Sequence, residues 1–126
     1  MPESKLSDTE LYLMEHFWLH GSMKSDELAA LVVERGWKPT TLLTFLSRLV
    51  AKGMLRSEKQ GKVNLYSPLV QRAEYARSEG QAFLQQLYDG SARNFLAAMV
   101  DGNVLSAADL CEMRQWLAQQ EVSGDD

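Results

Sequence analysis

The sequence predicts a mainly α chain with one small β-hairpin, in which three helices and the hairpin come first and a set of helices alone follows. Three observations carry that reading. Apolar residues recur at helical spacing in three early segments, each bounded by capping or stop signals. Two short strand-type segments then flank a Gly-containing turn, Lys59-Gln60-Gly61-Lys62. From about Leu69 onward the apolar residues return to helical spacing.

The first helix is expected from Ser7 to Leu19. Ser7 and Glu10 form an S-x-x-E capping pair, in which each side chain can bond the other's backbone N–H. Leu11, Met14, Phe17 and Trp18 supply its apolar face, and Gly21 stops it. The second helix is expected from Ser25 to Arg35, with Ser25 as cap, Asp26 and Glu27 at the positive end of the helix dipole, and Leu28, Leu31 and Val32 turned inward. The third runs from Pro39, a residue suited to the first helical position because no amide hydrogen is needed there, to Lys52, with Gly53 just beyond its end. Strands are expected at residues 54–58 and 63–66, and Pro68 ends the second. Three helices followed by a hairpin with a basic tip make a winged helix-turn-helix.

Beyond it, Leu69, Ala73, Ala76, Phe83, Leu84, Leu87 and Tyr88 form one long stripe. A further helix is expected from Ser91 to Val100, and another begins at Ser106 as cap. The tail from Val122 to Asp126 is expected to fray.

Composition narrows the function. The formal charge of −4 is unusual for a nucleic-acid binder, but it is an average over segregated charges. From Arg35 to Lys62 there are seven basic residues and a single acid, Glu58, a local charge of +6 that leaves −10 on the rest. Binding to nucleic acid depends on such a local face. One cysteine, Cys111, excludes an internal disulfide and a thiol-rich metal cage. No apolar run approaches the roughly 20 residues that span a bilayer, and the polar N-terminal residues lack a signal-peptide stretch, so a cytoplasmic location is expected. Gly-x-Ser-x-Gly, the phosphate loop and His-Glu-x-x-His motifs are all missing, so no catalytic residue, cofactor or metal is expected. His16 and His20, four apart on the first helix, could supply half of a zinc site, but no third ligand is in view.

Projected at about 100° per residue, the third helix has two faces. Leu42, Phe45, Leu46, Leu49, Val50 and Gly53 share one arc, with Leu43 at its edge, while Thr40, Thr41, Thr44, Ser47, Arg48, Ala51 and Lys52 share the other. Short hydroxyls near a helix start allow close approach to phosphate, and an arginine can reach a phosphate or a guanine edge. With the lysine-tipped hairpin this points to double-stranded DNA, although a merely solvated face would share the pattern.

The run from Gly36 to Gly53, GWKPTTLLTFLSRLVAKG, resembles the W-x-x-x-T-[VI]-x-T-x-L-x-R-L-x-x-K-G run of the penicillinase-repressor (BlaI/MecI/CopY) family. Leu6-Ser7-Asp8-Thr9-Glu10 resembles that family's opening L-[ST]-x-x-E, and Tyr66-Ser67-Pro68-Leu69-Val70 its Y-x-P-L-V. The resemblance implies a homodimeric repressor on an inverted-repeat operator, with residues 1–70 as a winged-helix DNA-binding domain and 71–126 as a helical dimerisation domain. Carried over by position, it places Thr41, Thr44 and Arg48, with Lys59, Lys62 and Asn64 of the hairpin, against DNA; Lys38, which can contact a phosphate, and Thr40 on the polar arc complete the expected DNA-binding set. Tyr75, Phe83, Leu87, Phe95, Leu96, Met99, Leu110, Met113 and Leu117 are the expected dimer contacts, since about 50 residues of helix bury too little surface alone.

The chain departs from the family pattern in places. Lys38 stands where a small cap is usual, and Thr40 and Leu43 stand where basic residues are common, which implies a different operator. In the β-lactam branch an Asn-Phe bond is cut on induction. The matching pair here is Ala98-Met99, and Asn94-Phe95 lies a turn earlier. The copper branch's paired cysteines are absent. An upstream sensor or antirepressor is left unnamed. Two other readings stay open: a winged-helix protein-interaction module, and a ligand-sensing repressor of another winged-helix family with a pocket near Trp37, Tyr75 or Trp116.

Overall fold

The Ser7–Glu10 pair opens the first helix as its spacing predicts. In the computed structural model, which describes residues 5–120, α1 spans Asp8–His20. The Ser7 hydroxyl accepts the Glu10 N–H at 3.2 Å, and the Glu10 carboxylate accepts the Ser7 N–H at 2.9 Å. Met14 and Phe17 are buried as expected, and Leu13 joins them, so the inward face is wider than the spacing alone suggests.

α2 covers only Ser25–Leu31, and the segment to Arg35 closes as a 3-10 turn, Val33–Arg35. Ser25 is the first helical residue and not the cap. The cap position is Lys24, whose N–H donates to the Glu27 carboxylate at 2.7 Å. Leu28 and Val32 are buried, but Leu31, about 100° around the helix from Val32, is exposed.

α3 spans Pro39–Ala51 with proline at its start. Its cap position, Lys38, makes no side-chain bond to the helix amides. A missing cap costs about 1 kcal/mol, whereas Leu46 and Leu49 are both 0% exposed and each stabilises by about 2 kcal/mol. Packing of the apolar face therefore outweighs the cap in fixing α3. Gly53 leaves the helix at φ +79°, a left-handed conformation that costs glycine little.

The hairpin is longer and its turn tighter than predicted. Before it, Met23–Lys24 forms a two-residue strand β1; the hairpin strands are β2, Leu55–Gln60, and β3, Val63–Pro68. β3 lies between the other two in an antiparallel sheet of order β1-β3-β2. Lys59 pairs with Asn64 and Gln60 with Val63, so only Gly61 and Lys62 remain as the turn. Gly61, at φ +65°, meets the positive φ that such two-residue turns demand. The core of this unit joins Leu13, Met14 and Phe17 of α1 to Leu28, Leu46, Leu49 and Leu55.

α4 spans Arg72–Tyr88, α5 Ala92–Asp101 and α6 Ala107–Gln119. Ser106 caps α6 as predicted, and Ser91, expected inside the helix, is instead the cap of α5; they accept the N–H groups of Asp109 and Asn94, each at 3.0 Å. The chain divides into two compact units inside α4, at Glu79 and Gly80. The start of α4 belongs with the first unit for a visible reason. Arg72 makes a two-pronged bond to Glu15 at 2.9 and 3.1 Å, and the Tyr75 hydroxyl accepts the Leu6 N–H at 3.1 Å. Just before α4, the Trp18 indole donates to the Val70 carbonyl at 2.8 Å.

In the second unit no described residue is buried. Among its described residues, Phe83, Tyr88 and Phe95 form an aromatic cluster, with centroids 5.4 to 6.0 Å apart. No helix among the described residues is long and apolar enough to cross a membrane. The expected frayed tail from Val122 lies outside the described residues.

Candidate nucleic-acid interface

The two arcs of α3 separate as the projection requires. Leu42, Leu46 and Leu49 are buried, and Phe45 and Val50 pack half-buried against the same core. Thr40, Thr44, Ser47 and Arg48 are exposed, and Thr41 is half-exposed at the margin. The Thr44 hydroxyl donates to the Thr40 carbonyl at 3.0 Å, one turn back along the helix. Its donor is thereby used inside α3, and what it offers outward is an acceptor lone pair and a methyl group.

Arg48 is steadied from below. Its guanidinium carbon lies 5.8 Å from the centre of the Phe45 ring, and Phe45 in turn leans on Trp37 at 5.1 Å. Trp37 meets Tyr12 edge-on at 6.2 Å, and Arg35 sits over the Tyr12 ring at 3.9 Å. The Tyr12 hydroxyl donates to Glu34, which raises the tyrosine's own pKa and lowers that of the glutamate. This aromatic row anchors the tip of the helix-turn-helix to α1. Its members come from three separate segments, so no local spacing reveals it.

Lys52 is the cation that the projection misplaces. It was expected on the exposed arc, but its ammonium bonds the Glu10 carboxylate and the Lys5 carbonyl, the latter at 3.1 Å. The Glu10 side chain is only 4% exposed and that of Lys52 30%. Burial pushes the Glu10 pKa upward, but the Lys52 bond and the Ser7 N–H together outweigh it and hold the carboxyl below its ordinary value. Folding cannot leave so enclosed a carboxylate unpartnered, and Lys52 is the partner within reach.

On the hairpin, Lys59, Lys62 and Asn64 are all exposed, as is Lys38 at the start of α3. Among the described residues, Lys38, Arg48, Lys59 and Lys62 have no carboxylate within ion-pair range, whereas Arg56 has a loose exposed partner in Glu58 at 3.9 Å. Unpaired cations on short hydroxyl-bearing helix and hairpin surfaces suit the phosphates of a duplex.

A family profile described as Penicillinase repressor matches residues 6–119. The chain belongs to the penicillinase repressor family. These are transcriptional repressors and not enzymes. The Penicillinase repressor of Bacillus licheniformis is 30% identical over 118 residues, 93% of this chain and 92% of that one. The Methicillin resistance regulatory protein MecI of Staphylococcus aureus strain N315 is 23% identical, over 90% of this chain and 93% of its own. The solution structure of the DNA binding domain of the repressor BlaI superposes with a TM-score of 0.53 at 34% identity, covering 60% of this chain and 94% of the domain. The winged helix-turn-helix read from the sequence is thus the family's fold.

For a penicillinase repressor, the remaining expected positions fall as follows. Phe83, Leu87 and Leu117 are exposed in the second unit, and Phe95, Leu96, Met99, Leu110 and Met113 are half-buried there. Tyr75 stands apart from them. It packs against the first unit's core beside Trp18, with ring centres 5.9 Å apart. Asn94 is exposed, Phe95 belongs to the aromatic cluster, and Ala98-Met99 lies in the interior of α5. His16 and His20 stack at 6.2 Å, and no group of three metal-ligating side chains occurs among the described residues.

Proposed function

We propose that this protein is a homodimeric transcriptional repressor that occupies an inverted-repeat operator in double-stranded DNA and blocks transcription by steric overlap. It works in the cytoplasm. In this reading α3 enters the major groove with Thr40, Thr41, Thr44 and Arg48, while Lys38 and the hairpin's Lys59, Lys62 and Asn64 meet flanking phosphates. Residues 1–70 read DNA and residues 71–126 dimerise, with the first turns of α4 bracing the winged helix from the far side of that boundary.

The observation that carries the reading is the open ridge of α3. Thr40, Thr44, Ser47 and Arg48 are exposed, and Thr41 half-exposed, on one side of a helix whose other side is locked into the core. Family membership supports the same partner class, since the matching BlaI domain is described as DNA-binding. Dimerisation is supported by a second unit in which no described residue is buried, which leaves Leu87, Trp116 and Leu117 more than half exposed at 61, 58 and 54%. A second copy would cover such surface and would supply the second half-site.

The test begins with duplexes selected from a random pool by the full-length protein. Binding to the selected duplex should fall steeply with salt, because several phosphates are neutralised. A flat dependence measured by fluorescence anisotropy refutes the reading. On the same duplex, Arg48→Ala should weaken binding by about 1–3 kcal/mol, and an unchanged Kd removes Arg48 from the contact set.

A further inference from the structure

We infer that Leu43 is a specificity-determining residue of α3 that reads the 5-methyl group of a thymine in the operator. The inference rests on the DNA-binding role proposed above and names one chemical group that the ridge would recognise.

The argument starts from what α3 does with its leucines. Leu42, Leu46 and Leu49 are 4, 0 and 0% exposed, but Leu43 is 44% exposed. It takes no part in the core, although Leu42 just before it and Val50 beside it on the wheel both pack there. Around the helix it borders Ser47 and Thr40, at i+4 and i−3, both of which are exposed. An exposed leucine by itself means little. This one flanks the ridge proposed to face base edges, on the Thr40 and Ser47 side, and within a groove an apolar side chain has a single good partner, the methyl group of thymine.

The rest of the ridge favours the same chemistry. Arg48 is the only cation from Pro39 to Ala51, and Lys52 at the helix end is spent on Glu10. Thr44 has committed its hydroxyl hydrogen to the Thr40 carbonyl. Ala51, one helical face along, is also exposed and apolar. Apart from Arg48, the ridge therefore offers only single hydroxyl donors, on Thr40, Thr41 and Ser47, and it is rich in methyl groups. Such a surface discriminates thymine by contact with its methyl rather than by a paired hydrogen bond.

The experiment uses full-length wild type, Leu43→Ala and Leu43→Met, with the duplex selected by wild type from a random pool as probe. Each thymine in turn is replaced by deoxyuridine, which removes only the methyl. At one thymine in each half-site, the replacement should weaken wild type about fourfold, the worth of one buried methyl-sized group. Leu43→Ala should bind the parent duplex more weakly and be indifferent to that replacement, while Leu43→Met should keep the sensitivity. All three should bind random-sequence duplex equally at low salt. If no replacement separates wild type from Leu43→Ala, the role of Leu43 is overturned and DNA binding stands. If wild type enriches no sequence and binds no duplex even at low salt, both are overturned.

Discussion

Replacing Leu87 and Leu117 together by glutamate should turn the protein into a monomer and lower its affinity for a two-half-site duplex by two to four orders of magnitude. Both side chains are more than half exposed in a unit none of whose described residues is buried. Burying a leucine against a partner is worth about 2 kcal/mol, and each would be buried once from either copy. The substitutions remove that gain and place four carboxylates in the contact. What is lost on DNA is the coupling between half-sites, which is worth about 10²- to 10⁴-fold without any new contact to the duplex. Each monomer keeps α3 and its hairpin, so binding to a single half-site should be unchanged. Sedimentation supplies the oligomeric state and a shift assay the affinity. A double variant that still sediments as a dimer would mean that the copies meet elsewhere or not at all.

Lys52→Ala should destabilise the first unit by about 2 kcal/mol at neutral pH, because it strands Glu10 in a site where its side chain is 4% exposed. The figure lies below the usual range for breaking a fully buried pair because the Lys52 side chain is 30% exposed. The pH dependence carries the sharper signature. The folded-state pKa of Glu10 is lowered despite the burial that raises it, chiefly by the Lys52 bond and then by the Ser7 N–H. A lowered carboxyl contributes stability above its unfolded value, about 4.3, and loses it as the pH falls through the folded value. Without Lys52 the raising effect of burial is opposed by Ser7 alone. The gap between wild type and variant should therefore be widest at neutral pH and narrow below about pH 4. Thermal melts across that range check it, and a gap that stays constant would mean that the pair contributes packing and no charge term. The same variant should leave the salt dependence on DNA unaltered, since that ammonium already has a partner.

What the sequence made legible was local. The Ser7–Glu10 box, the cap Ser106, Pro39 at the head of α3 and Gly61 in the hairpin turn all act within four residues, so their spacing is their signal. The inward face of α3 was legible for the same reason, as a period of 3.6. What the sequence hid was long-range or too short to be periodic. β1 has two residues and exists only because β3 accepts it. Glu10 and Lys52 are 42 positions apart, and Leu6 and Tyr75 are 69, so neither pairing leaves a mark on its neighbours. The second helix was read too long because Val32 to Arg35 continues the helical pattern, while its backbone tightens to 3-10 geometry after Val32. On the candidate surface, the threonines and Arg48 could be placed from the wheel. The loss of Lys52 from that surface and the aromatic support beneath Arg48 could not.

The outer position of β2 has one more consequence. Among the described residues, strand order β1-β3-β2 leaves the far side of β2 without a neighbour, and all of its residues after Leu55 are exposed. An unguarded edge of this kind invites pairing with the same strand of another molecule, the first step toward aggregates. Arg56, Glu58 and Lys59 line it, and mismatched charges along an approaching strand oppose such stacking. Lys59 thus answers to two constraints, the attraction of a polyanion and the avoidance of self-adhesion. Exchange of that lysine for a neutral β-former would put the chain's colloidal behaviour at risk even if its affinity for a promoter survived.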